Sequence, residues 1–292
     1  MLLYVSWFAG LQADAQTTVD WNSDALQTNL TSAGDLLDGG FNLELGVFAG
    51  SFVPTPGNIA QWAANWHPAC RTIYDASNKR YADVFTPVNN NTPFTIGKAG
   101  YVWGFRGDAV SSEWILFRAS SWTWPSASSF PPSLTYWYAK DATAVLGTII
   151  ASGSPFLMQT AAVSNVAPPT TTWSQWQAET LAGDPNSDPD RDGVPNLLEY
   201  VFGTPPKSAG APVATPVEVV DGHLQITIPR RIDHPATLIV EVSDDLASWH
   251  SGPAYTAVVS DGLTALVVRD LTTVDVTHPK RFMRLRTELT NP

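Results

Sequence analysis

The sequence predicts a mainly β protein, with an N-terminal β-sandwich, a short helix–loop–helix unit and a small C-terminal β-sandwich. Three observations lead there. Turn formers are abundant, with 23 Pro and 20 Gly in 292 residues, and only 15% of the residues are charged, against about 25% in an average soluble domain. Short apolar–polar alternations recur between clusters of Asn, Asp, Gly and Pro, the punctuation of a sandwich or barrel. One acidic stretch, residues 184–206, interrupts that rhythm and is flanked by helical patterns.

Length and composition bound the rest. At ~150 residues per domain the chain holds about two domains. Hydrophobic residues make up 44%, enough for a sizeable core. The net charge is −11, from 27 Asp and Glu against 16 Lys and Arg. That balance argues against nucleic acid as a partner, because phosphate-backbone binding needs clustered cations. The lone cysteine, Cys70, excludes an intramolecular disulfide and a cysteine-based zinc site. No apolar run is long enough to span a bilayer, so no membrane span is expected.

Residues 1–15 read as the remnant of a signal peptide. Leu2 to Leu11 is a short apolar run, and Ala13-Asp14-Ala15 matches a small-residue cleavage pattern before Gln16. The expected location is therefore extracellular or at the cell surface.

Residues 16–167 read as an aromatic-rich β-domain. Residues 17–40 are a polar lead-in with one strand. From Phe41 the alternation of Phe41, Leu43, Leu45 and Val47 against Asn42 and Glu44 predicts a half-buried strand. Asn58 is placed to cap a helix over 59–66, with Trp62 and Trp66 on one face and Pro68 as its stop. Short strands follow over 71–74, 82–85, 101–105, 113–117, 134–138 and 144–150. Tyr101, Trp103 and Phe105 alternate as core residues do. Trp122 and Trp124, at a strand-to-loop transition before Pro125, form the best candidate for an exposed aromatic pair, and hence for a ligand-binding, sugar-stacking site.

Residues 168–206 carry the one constellation that specifies chemistry. Thr172 and Gln175 form a capping box, opening a helix from Trp173 to Leu181 that buries Trp173, Trp176 and Leu181. A second helix runs over 196–202 and ends at Gly203 and Pro205-Pro206. Between them Asp188, Asp190 and Asp192 alternate, Gly193 permits a sharp reversal, and Glu199 stands at the twelfth position. A hard cation wants six to eight oxygen ligands. The three Asp side chains at loop positions 1, 3 and 5, the Val194 carbonyl, Asn196 directly or through water, and both oxygens of Glu199 supply such a set for Ca2+. Asp184 and Asn186 extend the alternation upstream as outer ligands.

This loop resembles the single-copy EF-hand loop of dockerins and thrombospondin type 3 repeats. The string from Trp173 to Pro206 is similar to a module that recurs near the C-termini of large secreted or surface proteins of environmental bacteria. The resemblance covers roughly 35 residues. It departs at position 8, where Pro195 has no N–H to pair with a partner loop, and no second complete loop exists. It therefore implies a solitary structural site, and not cohesin binding.

Residues 207–292 open on a Pro/Ala linker. Strands are expected over 217–220, 224–228, 237–242, 255–259, 265–268 and 281–286, with Asp221-Gly222 and Asp261-Gly262 as hairpin turns. That pattern fits a small sandwich of immunoglobulin or fibronectin type. Residues 240–249 and 281–286 resemble the β-domain that often follows the calcium module. Trp249 is expected in the core. Arg281, Arg284 and Arg286 are expected on a solvated strand face.

No catalytic signature is present. The five histidines are not spaced as a metal pair, and no HExxH, GxSxG, phosphate loop or dinucleotide fingerprint occurs. The reading is a secreted or cell-surface, non-enzymatic calcium-binding protein with a structural or adhesive role, the ion bracing a junction between β-domains. Polysaccharides or other surface proteins are its expected partners. The alternatives are a carbohydrate-binding module that uses the exposed aromatics, a glycan-acting enzyme with a carboxylate pair drawn from Glu44, Asp83, Asp108 and Glu113, and a self-assembling fibre subunit.

Overall fold

The computed structural model describes residues 16–106, 111–209, 213–233 and 235–289. The signal segment expected over 1–15, and Asp108, lie outside the described residues. The protein is mainly β and divides into two compact units: residues 1–105 with 113–162, and residues 163–292 with 106–112.

The first unit carries β1 (Thr17–Asn22), β2 (Asn29–Leu30), β3 (Asn42–Phe48), α1 (Trp62–Asn65), β4 (Trp66–Ile73), β5 (Ala82–Phe85) and β6 (Tyr101–Phe105). It continues with β7 (Ser111–Arg118), β8 (Ser133–Tyr138), β9 (Thr143–Leu146), β10 (Thr148–Ile149) and β11 (Met158–Gln159), and β12 (Ala161–Ser164) follows. One sheet runs β12-β7-β6-β3-β4, with β9 also on β7; the smaller sheets run β5-β1-β8 and β10-β11-β2. Val19 and Trp21 from β1 and Trp137 from β8 join Leu43, Leu45, Val102 and Phe117 in one buried cluster, which makes the layered core.

Two expectations change here. β3 is buried on both faces rather than half-buried. Its second face carries an aromatic cluster of Phe48, Trp62, Trp66, Trp103 and Trp114, with ring centroids 4.9–6.4 Å apart. Glu44 on that face is fully buried; it accepts from Trp66 Nε1 at 2.6 Å and pairs with Arg71 at 2.6 Å. The helix expected over 59–66 is a 3-10 turn over Pro56–Gln61 followed by the single turn α1, and Trp66 already belongs to β4. Thr55 is the cap, because Pro56 fits the first helical position. Asn58 Oδ1 instead accepts from Thr55 N–H and from Trp62 Nε1, both at 2.8 Å. Pro68 does not stop a helix; it sits in β4 beside a bulge between Leu45 and Gly46, a position a strand proline tolerates.

The second unit contains α2 (Trp173–Thr180), α3 (Asn196–Phe202), β13 (Val217–Val220), β14 (His223–Pro229), β15 (Ala236–Ser243), β16 (Thr256–Asp261), β17 (Ala265–Thr273) and β18 (Phe282–Leu289). A four-stranded sheet, β13-β14-β17-β16, faces a two-stranded one, β15-β18. Ile226, Ile228, Val240, Leu266 and Val268 form the core between them, joined by Phe202, Met283 and Leu285. The β13–β14 turn places Asp221 and Gly222 at φ 52° and 80°, the left-handed pair that an Asp-Gly hairpin supplies.

Three side chains depart from expectation. Trp249 is only half-buried; its indole lies under the Arg284 guanidinium, 4.1 Å from the ring centroid. Arg281 is not solvated but buried, clamped between Asp270 at 2.6 Å and Asp244 at 2.7 Å. Leu181 is exposed because it forms the left-handed C-cap of α2, and Ala182 is buried in its stead. Among the described residues, no helix is long and apolar enough to cross a membrane.

Candidate metal centre

Local sequence builds the centre from both ends. On one side, Thr172 caps α2: its Oγ1 accepts from Gln175 N–H, and Gln175 Oε1 accepts from Thr172 N–H at 2.8 Å. On the other, Pro195 caps α3 with its carbonyl, which accepts from Leu198 and Glu199 N–H at 2.8 and 3.1 Å. The missing N–H of Pro195 is no loss at that position. Gly203 ends α3 in the left-handed conformation.

The intervening loop is folded by its own carboxylates. Asp188 accepts from Arg191 N–H at 2.8 Å and Gly193 N–H at 3.0 Å; Asp192 accepts from Val194 N–H at 2.9 Å. Arg191 and Gly193 have φ of 63° and 91°. A Cβ on Gly193 would meet nothing within 4 Å, so glycine is required there by backbone conformation and not by space.

This folding brings one carboxylate oxygen from each of Asp188, Asp190 and Asp192 within 4.8 Å of one another. Calcium–oxygen bonds of about 2.3–2.6 Å place two ligands of one ion at most about 5 Å apart, so the cluster has the right size. A cluster of exposed acids alone would carry little weight. The decisive groups are buried. Glu199 and Asn196 are fully excluded from solvent, and four acceptors lack a hydrogen-bond partner: Glu199 Oε1 and Oε2, Asn196 Oδ1 and Asp190 Oδ2. Buried polar atoms are nearly always paired, so these four acceptors mark a place where a cation could sit.

Burial, then the charges of Asp190, Asp192 and Asp188, push Glu199 up to about 7. The Thr204 hydroxyl nearby eases this slightly but makes no well-formed hydrogen bond to it. A bound dication would reverse the balance and hold the carboxylate ionised.

Asp188, Asp190 and Asp192 converge, and Glu199 and Asn196 lie on α3 with their oxygens unpaired. Val194, in the loop between them, is half-buried, and its N–H is used by Asp192. Asp184 supports the loop: its carbonyl accepts from Asn196 Nδ2 at 2.9 Å, and its carboxylate from Asn186 N–H at 2.8 Å. Two contributors escaped sequence reasoning. Ser187 Oγ accepts from Asn196 Nδ2 at 2.7 Å, so both donors of that amide are engaged while Oδ1 has no hydrogen-bond partner. Tyr200 packs with Trp173 and Trp176, and its hydroxyl donates to the Thr171 carbonyl at 2.5 Å. Ala236 and Leu289, the paired ends of β15 and β18, pack on the same cluster.

The other candidates are spoken for. Trp122 and Trp124 are 2% exposed; Trp122 stacks on Trp137 at 5.2 Å, and Trp124 packs against Phe85 and Phe94. The exposed aromatic pair expected there is therefore corrected to core. A Trp-rich sandwich buries such rings because they bring the largest apolar area. Glu113 is held by the Ser32 backbone and hydroxyl and by Thr160, and Glu44 by Arg71 and Trp66. Asp83 accepts from Val84 N–H at 2.7 Å. No protein-family model, curated protein or solved structure matches the chain.

Proposed function

We propose that this is a calcium-binding protein of the cell surface or extracellular space in which the ion has a structural role. The single observation that carries the reading is the set of four buried, partnerless acceptor oxygens beside three convergent aspartates. Calcium fits better than magnesium, which keeps most of its waters and takes few protein ligands. The extracellular setting rests on the loop's resemblance to single-copy extracellular calcium loops and on the leader-like residues 1–15.

The ion's work lies within the second unit. It would fix α3 through Glu199 and Asn196, and α3 carries Tyr200 and Phe202 into contact with the strands of that unit. Binding free energy then becomes folding free energy, by RT ln(1 + [Ca]/Kd). Affinity is expected in the range of extracellular modules, roughly 10⁻⁴ to 10⁻³ M or somewhat tighter.

The test is thermal unfolding with excess calcium and with chelator. The melting temperature rises with calcium in the wild type, and Asp190→Ala combined with Glu199→Ala abolishes the rise. Identical melting in calcium and in chelator would sink the reading.

A further inference from the structure

The chain leaves α3 by a fixed reversal, Gly203-Thr204-Pro205-Pro206. Gly203 takes φ 79°, and the N–H groups of Gly203 and Thr204 both donate to the Glu199 carbonyl, at 2.7 and 3.0 Å. Such a left-handed exit folds the chain back over the last helical turn. Arg231 holds it there. Its N–H donates to the Val201 carbonyl at 2.9 Å, and its side chain lies so close that a Cβ on Gly203 would meet Cγ at 3.0 Å. Pro205 confines the residue before it to extended backbone. Thr204 is thus delivered, with little freedom, to the turn of α3 that carries Glu199.

The side chain delivered there has no work in the fold as it stands. The Thr204 hydroxyl oxygen is buried and lacks a hydrogen-bond partner, and so do both carboxylate oxygens of the neighbouring Glu199. A hydroxyl carries one donor that rotates to suit its acceptor. Buried hydroxyls are nearly always paired. Here an unused donor and an unused pair of acceptors lie side by side.

We infer that Thr204 is a positioning residue for the cation: in the loaded site its hydroxyl donates to one Glu199 oxygen and fixes the carboxylate with both oxygens toward the ion. The inference rests on the calcium reading above and adds to it a residue outside the twelve-residue loop. A hydrogen bond to an ionised carboxylate is about twice as strong as one between neutral groups. It also leaves each oxygen a lone pair for the metal. Supports of this kind orient a ligand without touching the ion.

A consequence for selectivity follows. Calcium accepts a carboxylate through both oxygens in an irregular shell, whereas magnesium demands a near-octahedral one with shorter bonds. A Glu199 that can rotate would offer a single oxygen to magnesium. A Glu199 held by Thr204 cannot turn without breaking the hydrogen bond. The hydroxyl therefore favours calcium over magnesium. The backbone of Thr204 does not share this role, since its N–H bonds the Glu199 carbonyl whatever side chain follows Gly203.

The test is isothermal titration of the full chain with calcium, with magnesium read by its competition, in Thr204→Val and Thr204→Ser. Val keeps the shape and removes the hydroxyl; Ser keeps the hydroxyl and removes the methyl. Thr204→Val should weaken calcium by about tenfold, should change magnesium by less, and should melt no lower than the wild type in chelator. Thr204→Ser should bind calcium like the wild type. Undiminished calcium binding in Thr204→Val would overturn the assignment. So would equal weakening in both variants, equal loss of both ions, or a lower melting temperature of Thr204→Val in chelator, each the mark of a merely structural role. A wild type that binds no calcium would overturn the proposed function itself, and this assignment with it.

Discussion

Adjacent on α3, Glu199 and Tyr200 serve opposite partners. The Glu199 carboxylate bears the repulsion of Asp188, Asp190 and Asp192, and the Tyr200 hydroxyl is held by the Thr171 carbonyl, with that of Pro235 at 3.3 Å. One turn of helix thus joins the acidic loop to the core of the second unit. Relief of the repulsion on one side should be felt as stability on the other.

Glu199→Gln isolates this coupling. The substitution removes a buried charge surrounded by three like charges while keeping the shape. With chelator present, its melting temperature should exceed that of the wild type. With calcium present, the order should reverse, because the ion loses a ligand that offers two oxygens. Wild-type protein at a hundredfold excess over Kd gains roughly 2.7 kcal/mol, which the variant should largely forfeit. Differential scanning calorimetry in calcium and in chelator reads both effects. A variant that melts below the wild type in chelator would show that Glu199 is not under electrostatic stress.

The same carboxylate gives the calcium-free protein a distinctive pH dependence. Folding raises Glu199 from an ordinary value of 4.5 to about 7. A group whose folded value is raised contributes stability that is complete below the unfolded value and is lost as pH rises through the folded one. Chelator-treated protein should therefore melt lower at pH 8 than at pH 6. Asp245 and Asp275 work in the other direction: backbone N–H groups and hydroxyls hold both well below the usual carboxylate range. Their contribution is present above about pH 4 and is lost only in acid, so it does not mask the window from 6 to 8. The pH 6-to-8 decline should vanish in Glu199→Gln and in calcium-loaded wild type. If Glu199→Gln declines equally, the slope belongs to other groups.

Much of this architecture was legible in the sequence because its signals are local. The Thr172–Gln175 box, the Asp221-Gly222 turn, and the strands over 82–85, 101–105 and 217–220 depend on near neighbours, and they stand where patterning put them. The spacing of Asp188, Asp190, Asp192 and Glu199 is local in the same sense. What escaped was whatever depends on contacts far along the chain. Glu44 reads as an exposed polar position, but Arg71 and Trp66 neutralise it from β4. Trp122 and Trp124 read as a loop pair, but Trp137, Phe85 and Phe94 enclose them. Ser187 carries no metal signature of its own; it matters only because Asn196 reaches back to it.

The Glu44–Arg71 pair predicts the most sensitive charged site in the first unit. Glu44 is fully buried and the Arg71 side chain is 4% exposed. Removing one partner of a buried pair leaves an uncompensated charge and costs about 3–5 kcal/mol. Arg71→Ala should lower the denaturation midpoint accordingly, with tryptophan fluorescence as the readout because Trp66 shares the carboxylate. Replacing Lys140, whose 3.2 Å pair with Asp24 is 40% exposed on both sides, should cost less than about 1 kcal/mol. Equal losses in the two variants would contradict the burial described for Glu44.

Gly46 offers a test of the layer itself. At the β3–β4 bulge the two backbones approach so closely that a Cβ on Gly46 would lie 2.4 Å from the His67 carbonyl oxygen and 2.7 Å from the Trp66 ring. Neither neighbour can yield easily. His67 contributes backbone, and the Trp66 indole is fixed by Phe48, Trp103 and the Glu44 carboxylate. Gly46→Ala must therefore push β4 away from β3, and overpacking of this kind costs about 1–3 kcal/mol or more. Gly39 is the matched control: its φ is not in the left-handed range, and the nearest atom to a Cβ there is the Tyr74 carbonyl oxygen at 3.8 Å. Gly39→Ala should stay within about 0.5 kcal/mol of the wild type. Denaturant titrations of the two variants should separate clearly, and the shift in Gly46→Ala should be accompanied by altered tryptophan emission, since the substitution acts through Trp66. Coincident titrations would mean that β3 and β4 do not approach as closely as the bulge requires.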